Sequence, residues 1–562
     1  MSATINSGVA PNHKWLRPMW NRPPIAAGSL VTATVRPPDQ GNAPLVGDVT
    51  GLGTGGGAGL GANADSSFGN VRLNIGLAPA ASGAFTLTWP VPPPAAANGI
   101  AVTADWAAVT QAAPAGPIVD LSFMTPGVLD PRLAYTRAST ATYFDNGGVM
   151  RVAANDQPRW NYDQGVLRGV LIETSRANSI RNSMMTGAVA GTPGTDPTGW
   201  SVGVGATGLV KQIVGTGTEN GITYIDYRFT AASIGTAGNL TLNFVNGAGL
   251  TTIPASPGQV WTQSLYVSLV AGTLPTNTGV LLRANEFDSG GANIGVLSLI
   301  APVPAAQVLS ASRQVASFPA TAAGTAFVQP FWLFGVSVNP SPVDFTLRVG
   351  GTQFELGATA SSFIPTTSVA VTRAVDHCTL TDAVLFAGTS NRTVAFDAWM
   401  TQIALTSNMG SLDDTTANNN MRLYCPAAPG IRASVVVGGT TQFLGGDLSP
   451  GTRPLQVRAA LANGTAWNGS VNGLPMFFTG GPSTPLGPLT TLHCGEAYNA
   501  TQQLDGDLQR VRVWNRSLGQ MELNDLTSAA PQAFTRAVTW TAARTLVPGE
   551  LVRVPYRWNV SN

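Results

Sequence analysis

The sequence predicts an all-β chain: a multidomain series of antiparallel β-sandwiches and jelly rolls with an extended N-terminal arm. Three observations predict it. Apolar residues make up 44% of the chain and charged residues only 10%, so cores can be buried while little surface is left for the charged faces of solvated helices. Glycine (64 residues) and proline (40 residues) punctuate the chain, as the turns between short strands require. Between them run segments of about 6 to 10 residues rich in valine, threonine and aromatics, many alternating apolar and polar side chains at period two. With 562 residues the chain exceeds the roughly 300 residues at which single cores stop growing, which implies several domains.

The elements follow in order. Residues 1–64 carry Trp15, Trp20 and the prolines Pro18, Pro23, Pro24, Pro37 and Pro38, which forbid helix interiors and central strands and suit an extended arm. That arm ends in GLGTGGGAGLGAN, Gly51–Asn63, a linker or long turn. No Lys or Ser/Thr follows at the spacing of a phosphate-cradling loop. Residues 65–119 contain Val71–Pro79, Ala84–Pro90 and Gly99–Val109, three alternating strands of a small anchoring sandwich. Residues 120–183 read as short hairpins with tight Asn-Gly and Gln-Gly turns. Residues 184–375 hold strands at regular spacing, among them TYIDYRFTAA, VWTQSLYVSLVAG and AFVQPFWLFGVSV, an antiparallel jelly roll. Residues 376–530 hold another such set, from NRTVAFDAWM to LQRVRVWNRSL. Residues 531–562 alternate like two further strands forming a C-terminal β tail.

Three of these stretches resemble known families. YTRASTATYFDNGGVM, NDQPRWNYD and RGVLIETSRANSI, with Arg137, Asp145, Pro158, Arg159, Tyr162, Glu173, Arg176 and Asn178, resemble a segment of phage head-spike, tail-fibre and gene-transfer-agent surface proteins. The match covers about 60 of the residues from Leu121 to Asn182. The stretch from Thr198-Gly-Trp200 to FELGATASSFIPTT is similar in layout to carbohydrate-binding jelly rolls. Gly506, Val511, Val513, Trp514, Asn515, Leu518 and Glu522 look like the last strand and short helix of laminin-G and concanavalin A-like domains. The tripeptide Thr-Arg-Ala recurs at Thr136, Thr372 and Thr535, each near a domain start, as a shared junction device would.

Composition narrows the function. The net charge is +1 and only Lys14 and Lys211 are lysines, so there is no concentrated basic face to neutralise phosphates and nucleic acid is excluded as a partner. No run reaches the roughly 18 apolar residues of a membrane span, and Met1–Ala10 lacks a secretory signal, so exit by cell lysis is expected. Cys378, Cys425 and Cys494 are too few for a disulfide framework. The histidines His13, His377 and His493 come without a nucleophile elbow, and the seven glutamates show no convergent pair of the kind glycoside hydrolysis needs. No catalytic residue is expected.

Sugar binding needs an aromatic face beside planar hydrogen-bonding groups. The jelly roll offers Trp200, Trp261, Gln263, Tyr266, Arg283, Gln329 and Trp332, and the last domain offers Trp467 in a hairpin turn. No cofactor is expected, calcium on Asp413, Asp414, Asp505 and Asp507 being the alternative to plain solvated loop residues. The expectation is a virion-surface protein: a head or tail spike or fibre subunit that meets other virion proteins and host surface glycans. Exposed strand edges at the termini point to a homo-oligomer, with a trimer the common spike arrangement. The alternatives are a phage-borne polysaccharide depolymerase and a purely structural capsid or tail decoration protein.

Overall fold

A computed structural model describes residues 116–528, apart from loop residues 246–252, 305–306, 388–390, 401–406, 427–429, 449–454, 465–466, 477 and 480–485, together with seven strands nearer the N-terminus. The proline positions of the expected arm, residues 51–62 of the expected linker and the tail over 531–562 lie outside the described residues. The chain divides into two compact units, Met1–Gly116 with Ser528–Asn562, and Pro117–Thr527. In the first unit, Ser2–Asn6, Asp48–Thr50, Gly83–Trp89 and Ile100–Trp106 form a four-stranded sheet, and Leu30–Val35, Asn63–Asp65 and Asn70–Leu77 a three-stranded one. Both sheets draw strands from either side of residue 64.

Among its described residues the second unit is all-β, with antiparallel pairing throughout and one short α-helix, Gln520–Thr527. Four of its hairpins are set by two-residue loops in which both residues take positive φ: Gln164-Gly165, Asn220-Gly221, Gly438-Gly439 and Asn472-Gly473. Loops of that kind twist with the strands they join, which is why Asn and Gly occupy them.

Residues 201–356 form the jelly roll. One five-stranded sheet has the order Ser201–Val204, Gly238–Asn243, Phe327–Val336, Asn277–Phe287, Asn293–Ile300; the other runs Val210–Glu219, Ile222–Ala231, Val343–Leu356, Val260–Gly272, Arg313–Pro319. Their facing side chains, including Leu240, Leu282, Trp332, Phe334, Phe345 and Leu347, make one core.

A second sandwich is built from two eight-stranded sheets centred on Arg392–Met400 and Ser407–Asp413. Segment 120–183 is woven into it. Gly506–Trp514 pairs along one side with Arg392–Met400; its other side is shared, Gly506–Leu508 taking Val166–Ile172 and Arg510–Val513 taking Val119–Ser122. In the opposite sheet, Ala134–Thr136 lines up beside His377–Thr381. The helix Gln520–Thr527 follows the strand Gly506–Trp514 as its sequence pattern implied, and Glu522 accepts from the Gly519 amide at 2.9 Å at its start.

Candidate functional site

Three of the residues that carry the spike-like motif, Arg137, Arg159 and Glu173, form a buried ion cluster with Arg373 and Asp376. Arg137, Arg159 and Arg373 are each 1% exposed or less and converge on Asp376 and Glu173. Asp376 accepts from the Tyr135 hydroxyl at 2.6 Å, from Arg137 at 3.2 Å, from Arg159 at 2.5 Å and from the Glu173 amide at 2.9 Å. Glu173 receives Arg159 at 2.7 Å and Arg373 at 3.0 Å, and Ser362 donates to it through both its amide and its hydroxyl. Three cations meet two carboxylates; further guanidinium donors go to carbonyls of Ser139, Ala154, Gln157, Thr142 and Thr174. Burial raises the pKa of Glu173, but Arg373 and Arg159 outweigh it and hold the carboxyl at about 2. Two of the three Thr-Arg-Ala arginines, Arg137 at 3.2 Å and Arg373 at 3.8 Å, share Asp376, and Thr535 lies outside the described residues. Asn178 is likewise structural, bonding the backbone of Thr352, Ile364, Ile180 and Phe354.

This cluster fixes two hairpins, Ala141–Phe144 with Met150–Ala153 and Trp160–Asp163 with Val166–Ile172. Along Trp160–Asp163 side chains alternate. Trp160 and Tyr162 turn to one side and line an open groove of about 830 Å³ with Tyr135, Tyr143, Leu129, Leu133, Pro158, Asp145, Asn146, Asp156 and Gln157. Tyr143, Trp160 and Tyr162 are half-buried, whereas Asn146, Asp156 and Gln157 are exposed. Asp145 is held by the Gly147 and Val149 amides and by Arg151 at 2.7 Å. Asp156 accepts from the Arg137 amide at 2.8 Å. Aromatic faces beside amides and carboxylates, in a groove of ligand-site volume, are what a pyranose requires.

Asn161 turns the other way, into a cavity of about 180 Å³ lined by Glu173, Asp505, Asp507, Tyr266 and Arg313. Its amide donates to Asp507 at 3.0 Å. Burial, with Glu173 nearby, pushes Asp507 up to about 7, and burial also raises Asp505. This cavity is below the roughly 300 Å³ at which ligand sites begin.

The sugar-binding residues expected from the sequence lie elsewhere and mostly inside. Trp200 (5% exposed) meets Phe244 edge-on at 4.9 Å and donates to the Asn182 carbonyl. Trp261 stacks on Phe354 at 5.0 Å, Trp332 is wholly buried beside Phe334, and Trp467 is 8% exposed in the second core. Gln263 and Gln329 donate to the Phe331 and Val245 carbonyls, Tyr266 is buried under Arg313, and half-buried Arg283 sits over Phe331. Buried rings offer no face to a sugar, so these aromatics are core residues. The groove residues were missed because WNYD is a short, polar strand; Trp160 and Tyr162 two apart beside a Gln-Gly turn were the signal available.

The calcium candidates also carry protein bonds. Asp413 is buried and accepts from Ser411 and Thr415, Asp414 from Thr416 and Asn419, and Asp505 from Thr174. Asp505 and Asp507 line the small cavity, and Asp413 and Asp414 do not. Among the described residues no group of three or more His, Cys, Asp or Glu side chains is placed to hold a metal. The two His-Cys pairs come together on adjacent strands, with Thr379 opposite His493. Cys378 and Cys494 are unbridged thiols packed in the core. The histidines point the other way, where buried Glu496 takes His377 at 2.7 Å and His493 at 3.0 Å. Burial lowers the pKa of His493, but Asp413 and Glu496 overcome it and hold the ring at about 9.

Residues 372–524 match a laminin-G-type family model described as the concanavalin A-like lectin/glucanases superfamily. Among solved structures, the chain is similar to the carbohydrate-binding module CBM40 of the Ruminococcus gnavus IT-sialidase bound to α2,3-sialyllactose, at 13% identity over 25% of this chain and 84% of that one, with a TM-score of 0.22. It is also similar to the CBM22 tandem of Paenibacillus barcinonensis Xyn10C, at 10% identity over 58% and 96%, with a TM-score of 0.19. Neither likeness bears on function at such TM-scores. No curated protein matches the chain.

Proposed function

We propose that this chain is a non-catalytic, glycan-binding surface subunit of a phage-type particle, and that it holds sugars in the groove beside Trp160 and Tyr162. The observation that carries the glycan half is the groove itself: three half-buried aromatic rings among exposed amides, mounted on hairpins that a buried ion cluster locks in place. Such preorganisation lowers the ordering cost of binding a flexible oligosaccharide. The concanavalin-like family match over residues 372–524 is consistent with it. The particle half is supported by the motif across Leu121–Asn182, whose residues build that scaffold.

A glycan-array screen of the full chain tests the first half: binding that Tyr162→Ala abolishes supports it, and an empty array overturns it. Steady release of reducing ends from a bound polysaccharide would replace it with a depolymerase. Mass spectrometry of purified particles from producing cells tests the second half, and particles without the chain refute it.

A further inference from the structure

We infer that the groove selects uncharged oligosaccharides and disfavours anionic ones such as uronates and sialosides; this rests on the glycan-binding reading above. The charges around it carry the inference. No Lys or Arg lines the groove, whereas Asp145 and Asp156 do. The cations near its rim are each matched by a carboxylate: Arg132 by Asp130, Arg151 by Asp145 and Arg168 by Asp163. Arg137 and Arg159, the buried arginines next to the groove residues in sequence, have their guanidinium groups turned inward to Asp376, to Glu173 and to carbonyls. These pairs leave no free cation at the rim, and Asp156 is the lining carboxylate held only by a backbone amide, that of Arg137. A ligand carboxylate therefore meets the lining carboxylates of Asp145 and Asp156 and no guanidinium fork to receive it.

At a separation of about 8 Å, one such charge weakens an anionic ligand about twofold in bulk water and about thirtyfold at the effective dielectric of a protein surface. Neutral sugars lose nothing, since their hydroxyls use the amides of Asn146 and Gln157 and the ring faces of Trp160 and Tyr162. Asp156 sits at φ +58°, a left-handed conformation that Asn also adopts readily, so Asp156→Asn removes the charge without straining the backbone. Asp145→Asn keeps an acceptor for the Gly147 and Val149 amides.

The test is calorimetric titration of the full chain with neutral cello-, malto- and chito-oligosaccharides, and with oligogalacturonate and sialyllactose, at low and at physiological salt. The expected result is binding of a neutral series at least several-fold tighter than either anion, a gap that narrows with added salt and shrinks in Asp156→Asn and Asp145→Asn. Equal or tighter binding of an anionic glycan, or a gap unmoved in both variants, overturns the selectivity while leaving the glycan reading standing. Failure to bind any of these glycans overturns both.

Discussion

Replacing Glu173 with glutamine should cost the Pro117–Thr527 unit about 3 to 5 kcal/mol, the usual penalty for removing one partner of a buried ion pair. Glu173 is 5% exposed and balances Arg159 and Arg373; without it, three arginines face Asp376 alone. Glutamine keeps the shape and an acceptor for the Ser362 amide, so the loss is mostly charge. A second route gives the same size. The carboxyl falls from 4.5 to about 2, and at about 1.4 kcal/mol for each pH unit this amounts to about 3 kcal/mol. Because the folded value is depressed, that stability is present above about pH 4.5 and fades as pH falls toward 2. Urea denaturation of both proteins, followed by circular dichroism across this range, should show a wide gap at neutral pH that closes in acid. A gap under about 0.5 kcal/mol at neutral pH, the scale of an ordinary surface change, would refute the reasoning.

Other predictions follow from the same cores. His493, raised to about 9 from 6.5, adds stability that is complete below pH 6.5 and is lost as pH climbs through 9, about 3 kcal/mol in all; its imidazole resonances in NMR should titrate near 9, and a midpoint near 6.5 would contradict the Glu496 bridge. Asp507 is raised to about 7 from 3.8, so Asp507→Asn should match the parent in acid and exceed it in melting temperature as pH rises through 7; no gain in alkali would mean that the carboxylate is solvated. The thiols of Cys378, Cys425 and Cys494 are buried, so Ellman's reagent should find no reactive thiol in the native protein and three after denaturation, and fast native labelling would contradict their burial.

Most strands were legible in the sequence. Val260–Gly272, Phe327–Val336 and Gly506–Trp514 lie where VWTQSLYVSLVAG, AFVQPFWLFGVSV and LDGDLQRVRVW predict them, because long β-branched and aromatic runs between turn residues admit few other structures. Which of their side chains meet solvent was not legible. Every residue from Trp261 to Ser268 is buried, so alternation could not tell an inner face from an outer one, and Trp261 and Tyr266 read as ligand-facing when they are core. The ion cluster hid for another reason. Arg159 and Asp376 are 217 residues apart, and nothing local to either shows that antiparallel strands will bring them within 2.5 Å. The motif around Arg137, Arg159 and Glu173 was visible as a pattern, while its role as the support of a groove needed the fold.

The most direct test of the glycan-binding account is a crystal structure of the full chain with the tightest-binding oligosaccharide from the array. The account predicts a pyranose ring against Trp160 or Tyr162, with hydroxyls on Asn146 or Gln157. A sugar bound on the jelly roll or on the concanavalin-like sheets, with the groove empty, would contradict it.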